Sequence, residues 1–237
     1  MTIRKVGILT SSESWFVPYA QDLTRILKWW GYESAFYAHH SEIVHPHDVL
    51  FILSYFRKVP SSTLRLNRFN LVVHESELPR GKGWSPLFWQ ILEGHNRIPI
   101  VLLEASEKID SGPIYLKDYI ELSGYELHDE IRQHQAHKTL ELCIRFLRQY
   151  PDLTPMPQQG KATFYPRRTP KNSQLDIHKS LYDQFNLLRI VDNTHYPAYF
   201  VIDGHQYILH IHRSVRSTSP DHIDDNNNSH TPQNTSS

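Results

Sequence analysis

A histidine at the end of a predicted strand and an aspartate at a turn between two predicted strands could together carry out acid–base or electrostatic chemistry. His74 closes the run "FNLVVH", and Asp110 precedes Ser-Gly in "EKIDSGPIYL". An imidazole can polarise a carbonyl, donate to a developing oxyanion or transfer a proton near neutral pH. Each feature alone has a plainer explanation, because the chain contains 16 histidines and Asp-Ser-Gly is common turn chemistry.

The framework for these side chains is predicted from alternating strand-like and helix-like patterns. Strands are predicted at 3–10, 33–38, 48–54, 69–74, 98–104 and 114–121, and helices at 16–31, 86–94 and 126–149. This alternation is typical of an α/β fold with a mostly parallel, Rossmann-like sheet and helices on both faces. Such open sheets bind ligands at the carboxyl ends of their strands, which is where His74 is predicted to lie.

The domain organisation follows from changes in composition along the chain. Residues 1–150 are predicted to form the α/β core, and the proline-rich "YPDLTPMPQQG" begins a small C-terminal extension over 151–216. This extension contains a predicted hairpin with Asp203 and Gly204 at its turn. Residues 217–237 have almost nothing to bury, so we predict that they are disordered.

Charge and cysteine content exclude several classes of function. The 25 basic and 25 acidic residues cancel, so no overall field attracts a nucleic-acid backbone. The single cysteine, Cys143, cannot form an intrachain disulfide or a multi-cysteine metal site, and its apolar helical pattern predicts a core thiol. No apolar run reaches the roughly 20 residues that span a bilayer. We therefore expect a cytoplasmic protein without nucleic-acid or membrane partners, and leave a homodimer open.

The stretch "AHHSEIVHPHD" is the most histidine-rich part of the chain. Imidazole is a common metal ligand, but the His-His and His-Pro-His spacings match no regular zinc pattern. We interpret the stretch as a polar surface loop and predict no metal site.

Taken together and in order, the motifs resemble the folate-dependent formyltransferase family. The pattern runs from "HESELPRGKGWSP" through "ILEG" to "IDSGPI", within a core match over about residues 45–150. The resemblance implies that 10-formyltetrahydrofolate gives its formyl group to a primary amine. His74 would then stabilise the tetrahedral oxyanion, while Asp110 would orient His74, position the amine and relay its proton.

One position departs from the family pattern, which is usually Asn-x-His-x-Ser-x-Leu-Pro. Val72 stands where the family has its asparagine, and Asn70 lies two residues earlier, roughly 6–7 Å away along the strand. Another polar group could supply the missing donor, and the nearest candidates in sequence are Glu75, Ser76 and Gln90. A paralogue that has lost catalysis is the alternative.

The resemblance also implies where ligands bind. The cofactor would contact Phe56, Arg57, Lys58, Lys108 and Ile109, mostly through backbone groups. The acceptor would contact Ser12, Ser14, Trp15, Arg80, Lys82, Arg167 and Arg168. The cations in that second set suit a nucleotide diphosphate, although "PRR" could equally be a solvated turn.

Within the family, the chain is most similar to the sugar-nucleotide N-formyltransferases. The segments "FYPRRTPKNSQLD" and "FNLLRIVDNTHYPAYF" look like those that follow the core in these enzymes, and the absence of net charge argues against tRNA. "HESELPRGKGWSPLFWQILEG" looks most like the branch for nucleotide-linked 4-amino-4,6-dideoxy sugars, including the pseudaminic acid type of polysaccharide biosynthesis. The alternatives are another amine (tRNA-linked or ribonucleotide), formyl-folate hydrolysis, and a non-catalytic folate or nucleotide binder.

Overall fold

The structure is a computed structural model that describes residues 2–214. The predicted disordered segment, 217–237, lies outside the described residues. The strands are β1 Lys5–Leu9, β2 Glu33–Tyr37, β3 Val49–Ile52, β4 Phe69–His74, β5 Lys82–Gly83, β6 Arg97–Glu104, β7 Ile114–Glu121, β8 Phe164–Tyr165, β9 Ala198–Ile202 and β10 His205–Leu209. The helices are α1 Val17–Trp29, α2 Ser61–Leu64, α3 Pro86–Leu92, α4 His128–Gln149 and α5 Phe185–Arg189.

A six-stranded sheet with the order β2-β1-β3-β4-β6-β7 forms the centre of the fold. The first four strands in that order are parallel, whereas β6 and β7 are antiparallel to their neighbours. β3 is central, and all four of its residues are buried, as its uninterrupted apolar sequence predicts. The predicted α/β class with a mostly parallel sheet is confirmed.

The two long helices pack on one face of this sheet and form the main hydrophobic core with it. Leu23 and Leu27 of α1 and Cys143 and Phe146 of α4 belong to one buried cluster with the strands. The other face is covered mainly by connecting segments, from which Ile43 and Val59 contribute buried side chains. The prediction of helices on both faces therefore holds only in part, because within residues 2–214 the α-helix that packs on this second face is the four-residue α2, through Leu64.

The C-terminal part of the chain is attached to the core near His74. β8 pairs in parallel with β5, the two-residue strand of the loop that follows β4. The Trp89 indole N–H donates to the Pro166 carbonyl oxygen at 2.9 Å, and the Arg189 guanidinium donates to the Asn96 side-chain oxygen at 2.8 Å. The predicted hairpin is formed by β9 and β10, with positive φ at Asp203 and Gly204.

Two further features bear on the chemistry that the chain can support. Cys143 is fully buried, and this burial raises the pKa of its thiol, so the residue is an inert core side chain. Among residues 2–214, no helix has the length and apolar character that crossing a membrane requires.

Candidate active site

His74 ends β4 with its imidazole buried between two oxygen atoms. Its Nε2 lies 2.8 Å from the Gly81 carbonyl oxygen, and its Nδ1 lies 3.7 Å from Asp110 Oδ1. Because a carbonyl oxygen can only accept a hydrogen bond, Nε2 is assigned as protonated and donating. Nδ1 is therefore the nitrogen that can take up or release a proton, and it faces a carboxylate.

Asp110 is held in place by its backbone and by two neighbouring loops. Its φ of 52° is left-handed, a conformation that costs a non-glycine residue free energy and recurs at functional sites. Its Oδ2 accepts from the Gly83 amide at 3.0 Å, and its carbonyl oxygen accepts from the Gln158 amide at 3.0 Å. These contacts leave Oδ1 directed at His74.

The turn after Asp110 depends on a glycine at 112. A Cβ atom on Gly112 would lie 1.9 Å from the carbonyl oxygen of Glu104, a backbone atom of β6. No side chain fits there without moving the turn or the strand. Gly112 therefore allows the turn that carries Asp110 to lie against β6, within reach of His74 on the neighbouring strand.

A cleft of about 830 Å³ opens over His74 and Asp110, and both residues line it. Most of the residues predicted to bind ligands also line this cleft. They are Ser12, Ser14, Trp15, Phe56, Arg57, Lys58, Ile109, Arg167 and Arg168. The structure thus brings together side chains that are as far apart in sequence as Ser12 and Arg168.

Three predicted ligand-binding residues do not line the cleft. Arg80 borders a separate cavity of about 540 Å³. Lys82 is 6% exposed and its Nζ donates to the Ser111 hydroxyl at 2.7 Å; burial is the main cause that lowers its pKa. Because Ser111 follows Asp110, Lys82 tethers the loop after β4 to the turn that carries Asp110. Lys108 is exposed, and its carbonyl oxygen accepts from the Ser106 hydroxyl at 2.6 Å.

Val72 lines the cleft at the position of the family asparagine, and Asn70 does not replace it. The Asn70 side-chain N–H group donates to the Leu64 carbonyl oxygen at 2.9 Å. Its side-chain oxygen accepts from the Asn67 side chain at 3.0 Å. Both ends of the amide are used in fixing the loop before β4, so Asn70 has a structural role.

Of the three other candidates for the missing donor, only Glu75 lines the cleft. Gln90 donates to the Glu75 carbonyl oxygen at 2.6 Å and to the Pro86 carbonyl oxygen at 3.1 Å. The Ser76 hydroxyl is buried without a partner among the described residues, outside the lining. The Glu75 carboxylate accepts from the Gln135 amide at 2.7 Å, and Gln135 itself lines the cleft.

A polar stripe on α4 was not identified from the sequence. His128, Arg132, Gln135 and Thr139 all line the cleft. Their spacing of four, three and four residues places them on one side of the helix, next to the apolar stripe that enters the core. The sequence signal that could have found this stripe is the recurrence of polar residues at intervals of four, three and four positions, beside the apolar residues of the same helix.

Glu104, at the end of β6, places a partly buried carboxyl group at the edge of the cleft. Its Oε1 accepts from the Asn70 backbone amide at 2.8 Å, and its Oε2 is buried without a partner among the described residues. Burial raises the pKa of this group to about 7. Glu104 therefore gives the cleft a carboxyl group that can exchange a proton near neutral pH.

Sequence comparison relates the chain to formyltransferases. No family model matches it. Methionyl-tRNA formyltransferase of Thermosipho melanesiensis is 32% identical over 120 residues, which are 51% of this chain and 39% of that protein. The Rickettsia prowazekii enzyme of the same name is 27% identical over 137 residues, 57% of this chain and 45% of that protein. The chain thus spans less than half the length of these curated relatives.

Solved structures share the fold. Methionyl-tRNA formyltransferase from Clostridium thermocellum aligns with a TM-score of 0.72 at 20% identity, over 85% of this chain and 90% of that one. HypX from Aquifex aeolicus, in complex with tetrahydrofolic acid, aligns with a TM-score of 0.70 at 19% identity. This alignment covers 89% of this chain and 38% of HypX. A sugar N-formyltransferase from a Shewanella species aligns with a TM-score of 0.66 at 13% identity. This alignment covers 90% of this chain and 99% of that enzyme.

The structure therefore has the α/β fold of these formyltransferases, with a cleft over the His74–Asp110 pair. The sequence matches agree with the resemblance to folate-dependent formyltransferases that the motifs indicated.

Proposed function

We propose that this protein transfers a formyl group from 10-formyltetrahydrofolate to the amino group of a nucleotide-linked 4-amino-4,6-dideoxy sugar. The observation that carries the proposal is the His74–Asp110 pair, with His74 Nδ1 3.7 Å from Asp110 Oδ1 at the floor of a cleft. A cleft of about 830 Å³ falls within the ordinary range for small-molecule sites.

The cofactor supplies the formyl carbon, and the two side chains handle charge and protons around it. With Nε2 committed to the Gly81 carbonyl oxygen, a proton on His74 Nδ1 can be donated to the formyl oxygen as negative charge develops there. Asp110 can accept the proton that the attacking amine loses and return it to the departing folate nitrogen. Val72 offers no donor, so His74 carries the electrostatic stabilisation with less help than in the family pattern.

The cofactor end of the cleft is assigned to the loops after β3 and β6. Phe56 is 44% exposed and Ile109 is 65% exposed at the cleft margin, and such apolar surface suits a flat heterocycle. Arg57 and Lys58 border the same region and suit the carboxylates of a folate tail. The tetrahydrofolate bound to HypX, a structural neighbour, supports this use of the fold.

The acceptor is assigned to the opposite end, where the C-terminal part of the chain closes the cleft. The similarity to a sugar N-formyltransferase over 99% of that chain, and to a 4-N formyltransferase from Francisella tularensis over 98%, favours a sugar. The balanced charge also disfavours tRNA. The pseudaminic acid branch is our more detailed proposal, based on the sequence of the loop after β4. The methionyl-tRNA formyltransferase relatives keep a tRNA-linked amine as the second candidate.

The test is tetrahydrofolate release from 10-formyltetrahydrofolate against a panel of UDP- and dTDP-linked 4-amino sugars, with mass detection of the formylated sugar. Acceptor-dependent release with a formyl adduct on one sugar would support the proposal. Release that does not depend on acceptor would indicate hydrolysis. Folate binding without turnover on any amino sugar or on aminoacylated tRNA would refute formyl transfer and indicate a binding protein.

A further inference from the structure

Two arginine side chains meet in the cleft beside the ring of Phe88. The guanidinium carbon of Arg132 lies 4.4 Å from the Phe88 ring centroid, and that of Arg168 lies 5.9 Å from it. Arg132 comes from α4, and Arg168 comes from the segment after β8. Both line the cleft that contains His74.

Arg132 is fixed in position by its neighbours. Its guanidinium lies between two aromatic rings, 4.5 Å from the Trp15 centroid and 4.4 Å from that of Phe88. Nη1 donates to the Gln135 side-chain oxygen at 2.8 Å, and Nε is buried without a partner among the described residues. Burial lowers the pKa of Arg132 to about 10, so the group remains charged at neutral pH. The group is therefore a rigid cation with unused hydrogen-bonding capacity.

Arg168 has even fewer partners than Arg132. Within residues 2–214, its Nε and Nη2 are buried without hydrogen-bond partners. Burial is the main cause that lowers its pKa. Neither arginine makes an ion pair with a described carboxylate. The charges of Glu75 and Asp192 act on Arg132, but their carboxylates hydrogen-bond to other groups: Glu75 accepts from Gln135, and Asp192 accepts from the His195 ring at 2.9 Å.

Two desolvated cations thus face one volume without an ion-pair partner among the described carboxylates. Buried N–H groups without an acceptor are costly, and the two positive charges repel each other, so an anion in this volume would relieve both costs. A phosphoryl group is an acceptor that arginine guanidinium groups bind well, because two of its oxygens can accept parallel hydrogen bonds from two N–H groups. Stacking of Arg132 between two rings reduces the entropy lost on binding such a group.

We propose that Arg132 and Arg168 form the binding site for a phosphoryl group of the acceptor, so that phosphorylated amines are the substrates of this cleft. This proposal rests on the proposed function, because it assumes that an acceptor binds beside His74. It assigns to α4 and to the segment after β8 a joint role in recognising the acceptor. Arg167, which stacks on Trp84 at 5.0 Å instead, is not part of the site.

The test is equilibrium binding by calorimetry, without folate, of UDP, pyrophosphate and uridine to the whole protein. Arg132→Met and Arg168→Met are expected to weaken the binding of UDP and pyrophosphate by at least about tenfold each. Uridine should bind wild type far more weakly than UDP. Arg148→Met is the matched control, because Arg148 also lies on α4 and stacks on a tryptophan, Trp30, at 4.9 Å. That variant should bind as wild type does.

Thermal unfolding of the unliganded variants separates binding from folding. Arg168→Met removes a desolvated charge and should not lower the melting temperature, whereas Arg168→Lys provides a second variant that keeps the charge. Affinity for UDP unchanged in both methionine variants, or reduced equally in Arg148→Met, would overturn the proposal, as would uridine binding as tightly as UDP. Arginine-dependent UDP binding by a protein that transfers no formyl group would refute only the proposed function. Formyl transfer to a nucleotide sugar with a wild-type KM in Arg168→Met would refute only the phosphoryl site.

Discussion

Glu104 should make the stability of this protein depend on pH in the neutral range, and Glu104→Gln should remove that dependence. Burial raises the pKa of Glu104 from 4.5 to about 7 in the folded protein. The folded state therefore binds a proton that the unfolded state has already released between these two values. Stability is then full below about pH 4.5, falls as the pH rises towards 7 and is constant above it.

The size of this effect follows from the pKa difference. Each pKa unit corresponds to about 1.4 kcal/mol, so the loss between about pH 4.5 and 8 is about 3 kcal/mol at most. Solvent reaching the partly buried carboxyl group would reduce it towards about 2 kcal/mol. Glutamine keeps the side-chain oxygen that accepts from the Asn70 amide. Its amide group replaces Oε2 beside Tyr115, whose own pKa is raised to about 12 by burial and by the Glu104 charge.

The assay is urea unfolding of wild type and Glu104→Gln at about pH 5, 6, 7 and 8, followed by circular dichroism. The difference between the two proteins should change by about 2–3 kcal/mol over this range, in favour of the variant at high pH. Comparing the proteins at each pH cancels any cost of the substitution that does not depend on pH. A constant difference across the range would show that Glu104 does not titrate near neutrality and would refute the argument from burial.

Three further predictions concern the proposed catalytic pair, His74 and Asp110, and the turn beside it. His74→Ala should lower kcat by roughly 10³-fold, measured by tetrahydrofolate release, because the donor to the developing oxyanion is lost; an unchanged kcat would exclude the assigned role. Asp110→Asn should lower kcat by roughly 10²-fold or more and leave the KM for the folate within a few-fold, since its carboxylate handles protons rather than binding; a change confined to KM would argue against this. Gly112→Ala should lower the melting temperature by several degrees, because its Cβ would lie 1.9 Å from a β6 carbonyl oxygen; an unaltered melting curve would mean that the turn can move at little cost.

The local elements of the fold could be predicted from the sequence because each has its own periodicity. The strands Phe69–His74 and Ile114–Glu121 have the predicted bounds, and the hairpin turns at Asp203 and Gly204 as predicted. The order of the motifs was also sufficient to indicate the family. Strand alternation, turn chemistry and motif spacing are all properties of contiguous residues, so they can be read without knowing what packs where.

The composition of the site was decided only by the tertiary structure. The orientation of α4 about its own axis places Arg132 in the cleft, beside the Phe88 ring. The pairing of β5 with β8 brings Arg168 to the same phenylalanine ring. Long-range packing also decides that Lys82 donates to Ser111 and not to a ligand in the cleft. It likewise places the Asn70 amide against the Leu64 carbonyl oxygen, in the loop before β4. A side chain with several polar partners within reach takes the one that the packing of distant segments provides. The sequence by itself therefore determined the strands, the resemblance to formyltransferases and the positions of His74 and Asp110, while the contacts between distant segments determined which other side chains surround them.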